Sequence, residues 1–201
     1  PVDRNTAAEV GRILGTLHAL AIPPAPGEEV DPWYLAAATI EDLTALTDRG
    51  EQAGRPWAGA LRDRLPQLGE LADLVAAAPM PTEDVIVCHR DLTIDNVFRP
   101  AGGGPLLVLD WENAGPMSAE SELAITVAGW CTPATEADLL RAYETAGGRA
   151  TIRGAGSFAA NAATFLNYLE VLAGHSLDDD GHREFAEPVL MAGLRDNLDA
   201  V

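Results

Sequence analysis

The chain has 201 residues, of which 47% are apolar, enough for one globular core or for one domain with a subdomain. Thirteen basic residues against 31 acidic ones leave a formal net charge of −18, which disfavours nucleic acid and anionic membrane surfaces as partners. All thirteen basic residues are arginines, and the sequence contains no lysine.

The two cysteines, Cys88 and Cys131, are too few for a disulfide framework and lack the spacing of a zinc site. We therefore expect a reducing, cytoplasmic environment. The sequence has no uninterrupted apolar run of about 18 residues that would predict a membrane-spanning helix. Its first residues, PVDRNT, lack the pattern of an export signal.

Apolar residues recur at helical spacing along most of the chain. The predicted helices cover approximately residues 6–20, 31–46, 57–77, 119–130, 134–146, 156–174 and 181–198. Thr6 with Glu9 three residues later predicts a capping box at the first N-terminus, and Asp31 predicts the cap of the second helix. Pro66 predicts a kink or an interruption in the third helix.

Short apolar runs in the middle of the chain predict a strand at residues 85–88 and a hairpin whose strands, 97–99 and 106–109, flank PAGGGP. The predicted fold class is therefore α+β, mostly helical, with a small strand-loop-hairpin element. This single predicted domain has a helical part at 1–84, the loop and hairpin at 85–112, and a helical subdomain at 113–201.

The loop before the hairpin reads CHRDLTIDNV at residues 88–97, and the second hairpin strand ends in LDWE at 109–112. Phosphoryl transfer needs a carboxylate that orients the attacking hydroxyl, and oxygen ligands that hold Mg²⁺ against the phosphates. Asp91 lies in the loop, Asn96 can turn back toward the same space, and Asp110 faces the loop from the hairpin. The spacing predicts that these three side chains form one site.

With HRDLTIDN and LDWE, the sequence resembles the kinase-like fold, and most closely the aminoglycoside phosphotransferase and choline kinase superfamily. LHAL at residues 17–20 resembles the helix that follows the interlobe hinge in those enzymes. The resemblance covers the whole chain as a C-terminal lobe. It implies that Asp91 accepts or orients the proton of the substrate hydroxyl and that Asn96 and Asp110 bind Mg²⁺.

The resemblance also implies that His89, Arg90 and Glu122 support the catalytic loop. His89 would brace this loop from beneath, and Arg90 stands where the antibiotic kinases usually have Gly. Glu122, in SELA, stands where the family usually has an Asp. The segment after LDWE is too short for the activation loop of a protein kinase.

The N-terminal lobe of the family provides a sheet, a phosphate-covering loop and a lysine that holds the α- and β-phosphates of ATP. This sequence has no lysine and no GxxxxGK motif, and its first helix begins at once. We therefore expect that the nucleotide lobe is absent by truncation, by cleavage or by nature, and that this chain alone is inactive. The residues that bind the nucleotide are not assigned.

The function implied by the resemblance is an ATP- and Mg²⁺-dependent phosphotransferase that acts on a hydroxyl group of a small molecule, such as an aminoglycoside or another cationic acceptor. The alternative is a stand-alone pseudokinase, or a binding module for a small molecule or a protein. A second copy of the chain, as a homodimer, or a partner protein would then cover the face of the missing lobe. A metal hydrolase built on His89, Asp91 and Asp110 is disfavoured, because no second histidine accompanies them.

Two further side chains near these motifs are predicted to have no chemical role. His18 lacks metal-ligand spacing and is predicted to be structural or exposed. Cys88 precedes the loop on a buried strand, where an inert, small hydrophobic residue is expected.

Overall fold

The computed structural model describes residues 2–81, 84–178 and 180–196. The chain forms two compact units, and each is built from two separate segments. The first unit comprises Pro1–Asp31 and Pro79–Phe158, and the second comprises Pro32–Ala78 and Ala159–Val201.

Helices form most of the second unit, whereas the first unit combines helices with short strands and loops. The α-helices are α1 (Arg4–Ala19), α2 (Ile40–Gln52), α3 (Pro56–Ala77), α4 (Ala119–Trp130), α5 (Glu136–Thr145), α6 (Ala159–Asp178) and α7 (Asp180–Asp196). Single 3-10 turns cover Pro32–Tyr34, Trp111–Asn113 and Ala155–Phe158. Each predicted helix has a counterpart, and the predicted end of the last one, Leu198, lies outside the described residues. Within the part of the chain that the structure describes, no helix is both long and apolar enough to cross a membrane.

Asp3, rather than Thr6, caps the N-terminus of α1. Its Oδ1 accepts hydrogen bonds from the backbone N–H groups of Asn5 and Thr6 at 2.9 and 3.0 Å. The predicted capping box was wrong, because Asp3 supplies a carboxylate acceptor earlier in the chain. Glu9 contacts the hairpin instead, where it accepts from the backbone N–H of Leu106 at 2.9 Å.

The second helix begins later than the sequence predicted, because its predicted start forms only a single 3-10 turn. Helix α2 follows Thr39, whose Oγ accepts from the backbone N–H of Asp42 at 3.1 Å. A buried amide fixes the intervening segment: Asn167 of α6 accepts from the N–H of Ala38 at 2.7 Å and donates to the carbonyl of Ala36 at 2.8 Å. These bonds occupy backbone groups that a continuous helix would use for itself.

The core of the second unit is formed by apolar side chains of α2, α3, α6 and α7. Its largest members are Leu43, Leu46, Trp57, Leu61, Leu68, Leu166, Leu169, Leu172, Leu190 and Leu194. Helix α3 continues through Pro66, so the proline does not interrupt it.

The strands of the described residues lie in the first unit and are β1 (Val85–Cys88), β2 (Val97–Phe98), β3 (Leu107–Val108) and β4 (Gly115–Ser118). Strands β2 and β3 form the predicted hairpin, which is antiparallel. Strand β1 pairs antiparallel with β4, with Cys88 opposite Gly115. The sequence did not predict β4, because GPMS has few strand-forming residues.

Helices α1 and α5 pack with their backbones in close contact. A Cβ atom on Gly11 would lie 2.2 Å from the carbonyl oxygen of Leu139, and one on Gly15 would lie 2.3 Å from that of Tyr143. Because these distances are far inside van der Waals contact, only glycine fits at both positions. The approach also brings His18, about one turn after Gly15, against the ring of Tyr143.

The core of the first unit surrounds this contact. Its buried members are Ala7, Val10, Leu14, Leu92, Leu123, Val127, Trp130, Leu139 and Tyr143.

We expect Gly11→Ala to lower the free energy of unfolding by about 1–3 kcal/mol, because the added methyl group forces α1 away from α5. The matched control is Gly129→Ala in α4, where a Cβ atom would meet nothing within 4 Å. This control should be neutral or should stabilise by up to about 1 kcal/mol through its higher helix propensity. Urea unfolding followed by circular dichroism measures the free energy of unfolding of both variants. Equal changes in Gly11→Ala and Gly129→Ala would contradict the close packing of α1 on α5.

Candidate active site

The side chains predicted to form the site lie in the first unit, on the 89–96 loop between β1 and β2 and just after β3. Asn96 directly precedes β2, and Asp110 lies two residues after the end of β3. The N–H of Leu109 donates to the carbonyl of Asn96 at 2.8 Å, which extends the pairing of the hairpin by one residue. The hairpin therefore brings Asn96 alongside the residue that precedes Asp110.

Asp91 and Asn96 are joined directly by hydrogen bonds. Asn96 Nδ2 donates to the backbone carbonyl of Asp91 at 2.9 Å and to its carboxylate Oδ2 at 2.8 Å. Since both partners are acceptors, the N–H₂ group of the amide faces Asp91 and the amide oxygen points away from it. The carboxylate of Asp91 is thereby held in one orientation.

His89 connects the 89–96 loop to the end of β3. The residue is 1% exposed. Its Nε2 donates to the carbonyl of Leu109 at 2.9 Å, and its Nδ1 accepts from the N–H of Asp91 at 3.3 Å. The imidazole also packs edge-on against Trp111, with ring centroids 4.6 Å apart. One buried ring therefore fixes the backbone at Asp91 and the backbone next to Asp110.

Arg90 and Asp110 both adopt a left-handed backbone conformation, with φ angles of 66° and 59°. For a residue other than glycine this conformation costs about 1–2 kcal/mol, and it persists only where the surroundings hold it. The side chain of Arg90 reaches the segment after Asp110, where its Nε donates to the carbonyl of Asn113 and its guanidinium packs against Gly115. Backbone strain thus lies at Asp110 and directly before Asp91.

A buried carboxylate holds the backbone of Arg90. Glu122 of α4 is 2% exposed, and its Oε1 accepts from the N–H of Arg90 at 2.6 Å. Its Oε2 lies 2.7 Å from Nε2 of His18 in α1. Burial acts to raise the pKa of Glu122, but the hydrogen bonds from His18 and from the Arg90 backbone outweigh burial and lower that pKa below its ordinary value. Glu122 is therefore an ionised carboxylate with a donor on each oxygen.

His18 and Tyr143 belong to the same network, which spacing in the sequence did not reveal. Nδ1 of His18 lies 2.8 Å from the hydroxyl oxygen of Tyr143, and both side chains are buried. Of the two predicted alternatives for His18, the structure therefore shows a buried rather than an exposed residue. The sequence did contain one signal for the burial of His18, because His18 lies on the same face of α1 as Gly11 and Gly15.

Among the described residues, one group of three histidine, cysteine or acidic side chains lies close enough to hold a metal ion. It consists of His18, Cys88 and Glu122, whose ligand atoms lie within 4.8 Å of one another. Burial, and then the negative charge of Glu122, raise the pKa of the Cys88 thiol well above its ordinary value, so the thiol stays protonated. Its Sγ donates to the carbonyl of Met117 at 3.5 Å, while His18 and Glu122 bond to each other. In this structure the three side chains form a hydrogen-bonded cluster.

Asn96 and Asp110 offer a different set of donors, an amide oxygen and a carboxylate. Such hard oxygen ligands suit Mg²⁺, which is often held by one or two carboxylates together with the phosphates of a substrate. The orientation of the Asn96 amide meets this requirement, because its N–H₂ group is bound to Asp91 and its oxygen faces away. By donor chemistry, these residues fit Mg²⁺.

A family model described as the phosphotransferase enzyme family matches residues 1–155 of the chain. The matched range covers more than half of the 201 residues and includes the 89–96 loop, the hairpin and Glu122. The chain belongs to the phosphotransferase enzyme family, which confirms the family predicted from the sequence.

A solved structure of a spectinomycin phosphotransferase in complex with ADP and spectinomycin has a similar fold, with a TM-score of 0.71 and 13% sequence identity. The match covers 100% of this chain and 65% of that chain, so this chain spans about two thirds of the neighbour's length. The similarity confirms the predicted fold class, a mostly helical α+β arrangement of the kinase-like type. A comparison with curated proteins gave no match.

Replacing Glu122 should change how stability depends on pH. Because the folded-state pKa of Glu122 lies below its ordinary value of 4.5, its ionised form stabilises the fold fully above about pH 4.5. This contribution is lost as the pH falls through the lower, folded-state value. We expect Glu122→Gln to lower the free energy of unfolding by about 2 kcal/mol at pH 7, and by progressively less below pH 4.5.

Urea unfolding of wild type and variant at pH 7 and at several lower pH values measures this difference. The control is Glu144→Gln, at an exposed residue of α5, which should change the free energy of unfolding by less than about 0.5 kcal/mol at each pH. A loss in Glu122→Gln that is the same at every pH would contradict an ionised, buried carboxylate.

Proposed function

We propose that the protein transfers the γ-phosphoryl group of ATP to a hydroxyl group of a small molecule in an Mg²⁺-dependent reaction. The observation that carries this proposal is the hydrogen-bonded pair of Asp91 and Asn96, which the hairpin brings beside the segment that leads into Asp110. Membership of the phosphotransferase enzyme family supports it. Further support comes from the structural neighbour, which was solved with a nucleotide and a small molecule.

Asp91 would act on the acceptor. A carboxylate within hydrogen-bond distance orients the attacking hydroxyl and accepts its proton as the transfer proceeds. The bond from Asn96 Nδ2 to Asp91 Oδ2 leaves Oδ1 for the acceptor and fixes the direction in which it points. His89 adds to this orientation by accepting from the backbone N–H of Asp91.

Asn96 and Asp110 would hold Mg²⁺ through the amide oxygen and the carboxylate. When bound, the ion would neutralise negative charge on the transferred phosphoryl group. The chain itself keeps the two ligand-bearing segments together, since Leu109 is bonded to both Asn96 and His89.

Groups that bind the phosphates of ATP would come from outside this sequence. The sequence contains no lysine, whereas kinases use a lysine to hold the α- and β-phosphates. The chain also covers only 65% of the neighbour that was solved with ADP. We therefore propose that a further lobe completes the enzyme and that this chain alone does not transfer phosphate.

The net charge of −18 favours a cationic acceptor, such as an amine-bearing sugar, because the field of the protein attracts cations. A cytoplasmic location is part of the proposal. It is supported by the low cysteine count, because two cysteines are too few for the disulfide framework that is common in oxidising compartments.

A binding module without catalysis is the second candidate, and exposed apolar side chains favour it. Phe98, Leu107, Leu109 and Trp111, on the hairpin and the turn after it, are between 46% and 53% exposed. Such side chains suit contact with another protein surface, which would be a second copy of the chain, a partner protein or the further lobe. Phosphoryl transfer by the complete protein would exclude this candidate.

In the complete enzyme, Asp91→Asn should lower kcat by about 10²–10⁴-fold, because an amide cannot accept the proton of the hydroxyl. Asp95→Asn is the matched control, since it makes the same change at an exposed residue of the same loop. Initial rates of phosphate transfer from ATP to a panel of hydroxyl compounds measure both variants, and thermal unfolding checks that each is folded. Equal rates for wild type and Asp91→Asn would remove Asp91 from the mechanism.

Asp110→Asn should raise the Mg²⁺ concentration needed for half-maximal activity by at least about tenfold, since a neutral amide binds the ion less tightly than a carboxylate. Glu112→Gln, two residues later, removes the same charge at an exposed residue and should leave the Mg²⁺ requirement close to that of the wild type. Rates measured across an Mg²⁺ titration give both values. An unchanged requirement in Asp110→Asn would exclude Asp110 as a metal ligand.

A further inference from the structure

Buried polar groups form a continuous row of hydrogen bonds in the first unit. The hydroxyl of Tyr143 lies 2.8 Å from Nδ1 of His18, whose Nε2 lies 2.7 Å from Oε2 of Glu122. The other carboxylate oxygen of Glu122 accepts from the N–H of Arg90 at 2.6 Å. The row therefore joins α5, α1 and α4 to the residue that precedes Asp91.

The partners of Tyr143 decide which nitrogen of His18 carries the proton. The hydroxyl oxygen of Tyr143 already accepts from the backbone N–H of Ala150 at 3.2 Å. Its own hydrogen needs an acceptor, and Nδ1 of His18 lies within reach at 2.8 Å. A ring nitrogen accepts only when it carries no proton, so a hydrogen bond from this hydroxyl to Nδ1 requires a neutral ring with its proton on Nε2. The Nε2–H group then donates to Glu122.

The opposite tautomer would be unfavourable at both ends of the ring. A proton on Nδ1 would leave the hydroxyl hydrogen of Tyr143 buried without an acceptor, and the bare Nε2 would face the carboxylate of Glu122. Cys88 does not take over the donor role of His18, because its Sγ lies 4.0 Å from Nε2 and donates to the carbonyl of Met117.

We propose that Tyr143 and His18 are positioning residues for the site. The hydroxyl of Tyr143 selects the Nε2–H tautomer of His18, which keeps Glu122 oriented toward Arg90. Glu122 then holds the left-handed backbone of Arg90, at a φ of 66°, and so fixes the start of the loop before Asp91. The expected effect of these hydrogen bonds on turnover rests on the proposed function. The tautomer of His18 does not depend on that function.

Heteronuclear NMR of the protein tests the tautomer directly. Long-range ¹H–¹⁵N correlations should show the proton of His18 on Nε2. Tyr143→Phe removes only the hydroxyl, and we expect it to mix the two tautomers of His18 and to shift the backbone amide resonance of Arg90. Tyr168→Phe is the matched control, because Tyr168 is an exposed residue of α6 in the second unit, and it should leave both signals unchanged.

A wild-type His18 with its proton on Nδ1, or with protons on both nitrogens, would overturn the proposal. Unchanged His18 and Arg90 signals in Tyr143→Phe would overturn it as well. These spectra require no enzymatic activity, so they decide the structural part even if the proposed function fails.

Two substitutions of His18 test the effect on catalysis in the complete enzyme. His18→Gln places an amide N–H₂ group near the position of Nε2, whereas His18→Asn places it near the position of Nδ1, so only the Gln variant retains a donor to Glu122. We expect kcat of His18→Asn to lie at least about tenfold below that of His18→Gln, with similar KM values, since a hydrogen bond to a charged group is worth about that factor or more.

Thermal unfolding identifies any His18 variant that fails to fold. In that case Tyr143→Phe, which keeps the aromatic ring, is compared with the wild type. We expect Tyr143→Phe to have a lower kcat than the wild type. Equal kcat values for His18→Gln and His18→Asn, or an unchanged kcat in Tyr143→Phe, would overturn the positioning role. An inactive wild-type enzyme would instead contradict the proposed function.

Discussion

The carboxylate of Glu122 is the constraint on which the geometry of the first unit depends. An ionised group that is 2% exposed is tolerated only when its oxygens are hydrogen-bonded, and Glu122 obtains its donors from α1 and from the 89–96 loop. If α1 shifted, His18 would withdraw one donor. If the loop opened, Arg90 would withdraw the other and leave a buried charge partly unpaired. Helix packing and loop conformation are therefore coupled in this unit.

Helix α1 supports the site at two places along its length. Through His18 it reaches the carboxylate beside the 89–96 loop, and through Glu9 it reaches the hairpin. Glu9 accepts from the N–H of Leu106 at 2.9 Å and forms an ion pair with Arg99 at 2.7 Å. A hairpin with two paired residues on each strand is marginal by itself. The contact with α1 therefore stabilises the element that sets the spacing of the two proposed metal ligands.

Sequence patterns predicted the parts of the site that are close together in the chain. Asp91 and Asn96 share one short loop, and Asp110 follows a hairpin whose strands are apolar runs, so spacing and strand propensity predicted the loop and the hairpin, while the roles of the three residues stay predictions. His18 and Glu122 are 104 residues apart, and no periodicity links them, because their contact depends on how the helices pack. Local pattern and distant contact also distinguish α4 from β4. Helical periodicity predicted both ends of α4, whereas β4 becomes a strand only because it pairs with the edge of β1.

The arginine at position 90 shows how backbone strain and side-chain contacts offset each other. Glycine would enter the left-handed conformation without the penalty of about 1–2 kcal/mol that a Cβ atom brings. Arg90 incurs this penalty, but its N–H bonds to Glu122 and its side chain bonds to the carbonyl of Asn113. The second bond ties the 89–96 loop to the segment that follows Asp110, and glycine has no side chain with which to form it. The strained residue therefore couples the backbone of Asp91 to that of Asp110.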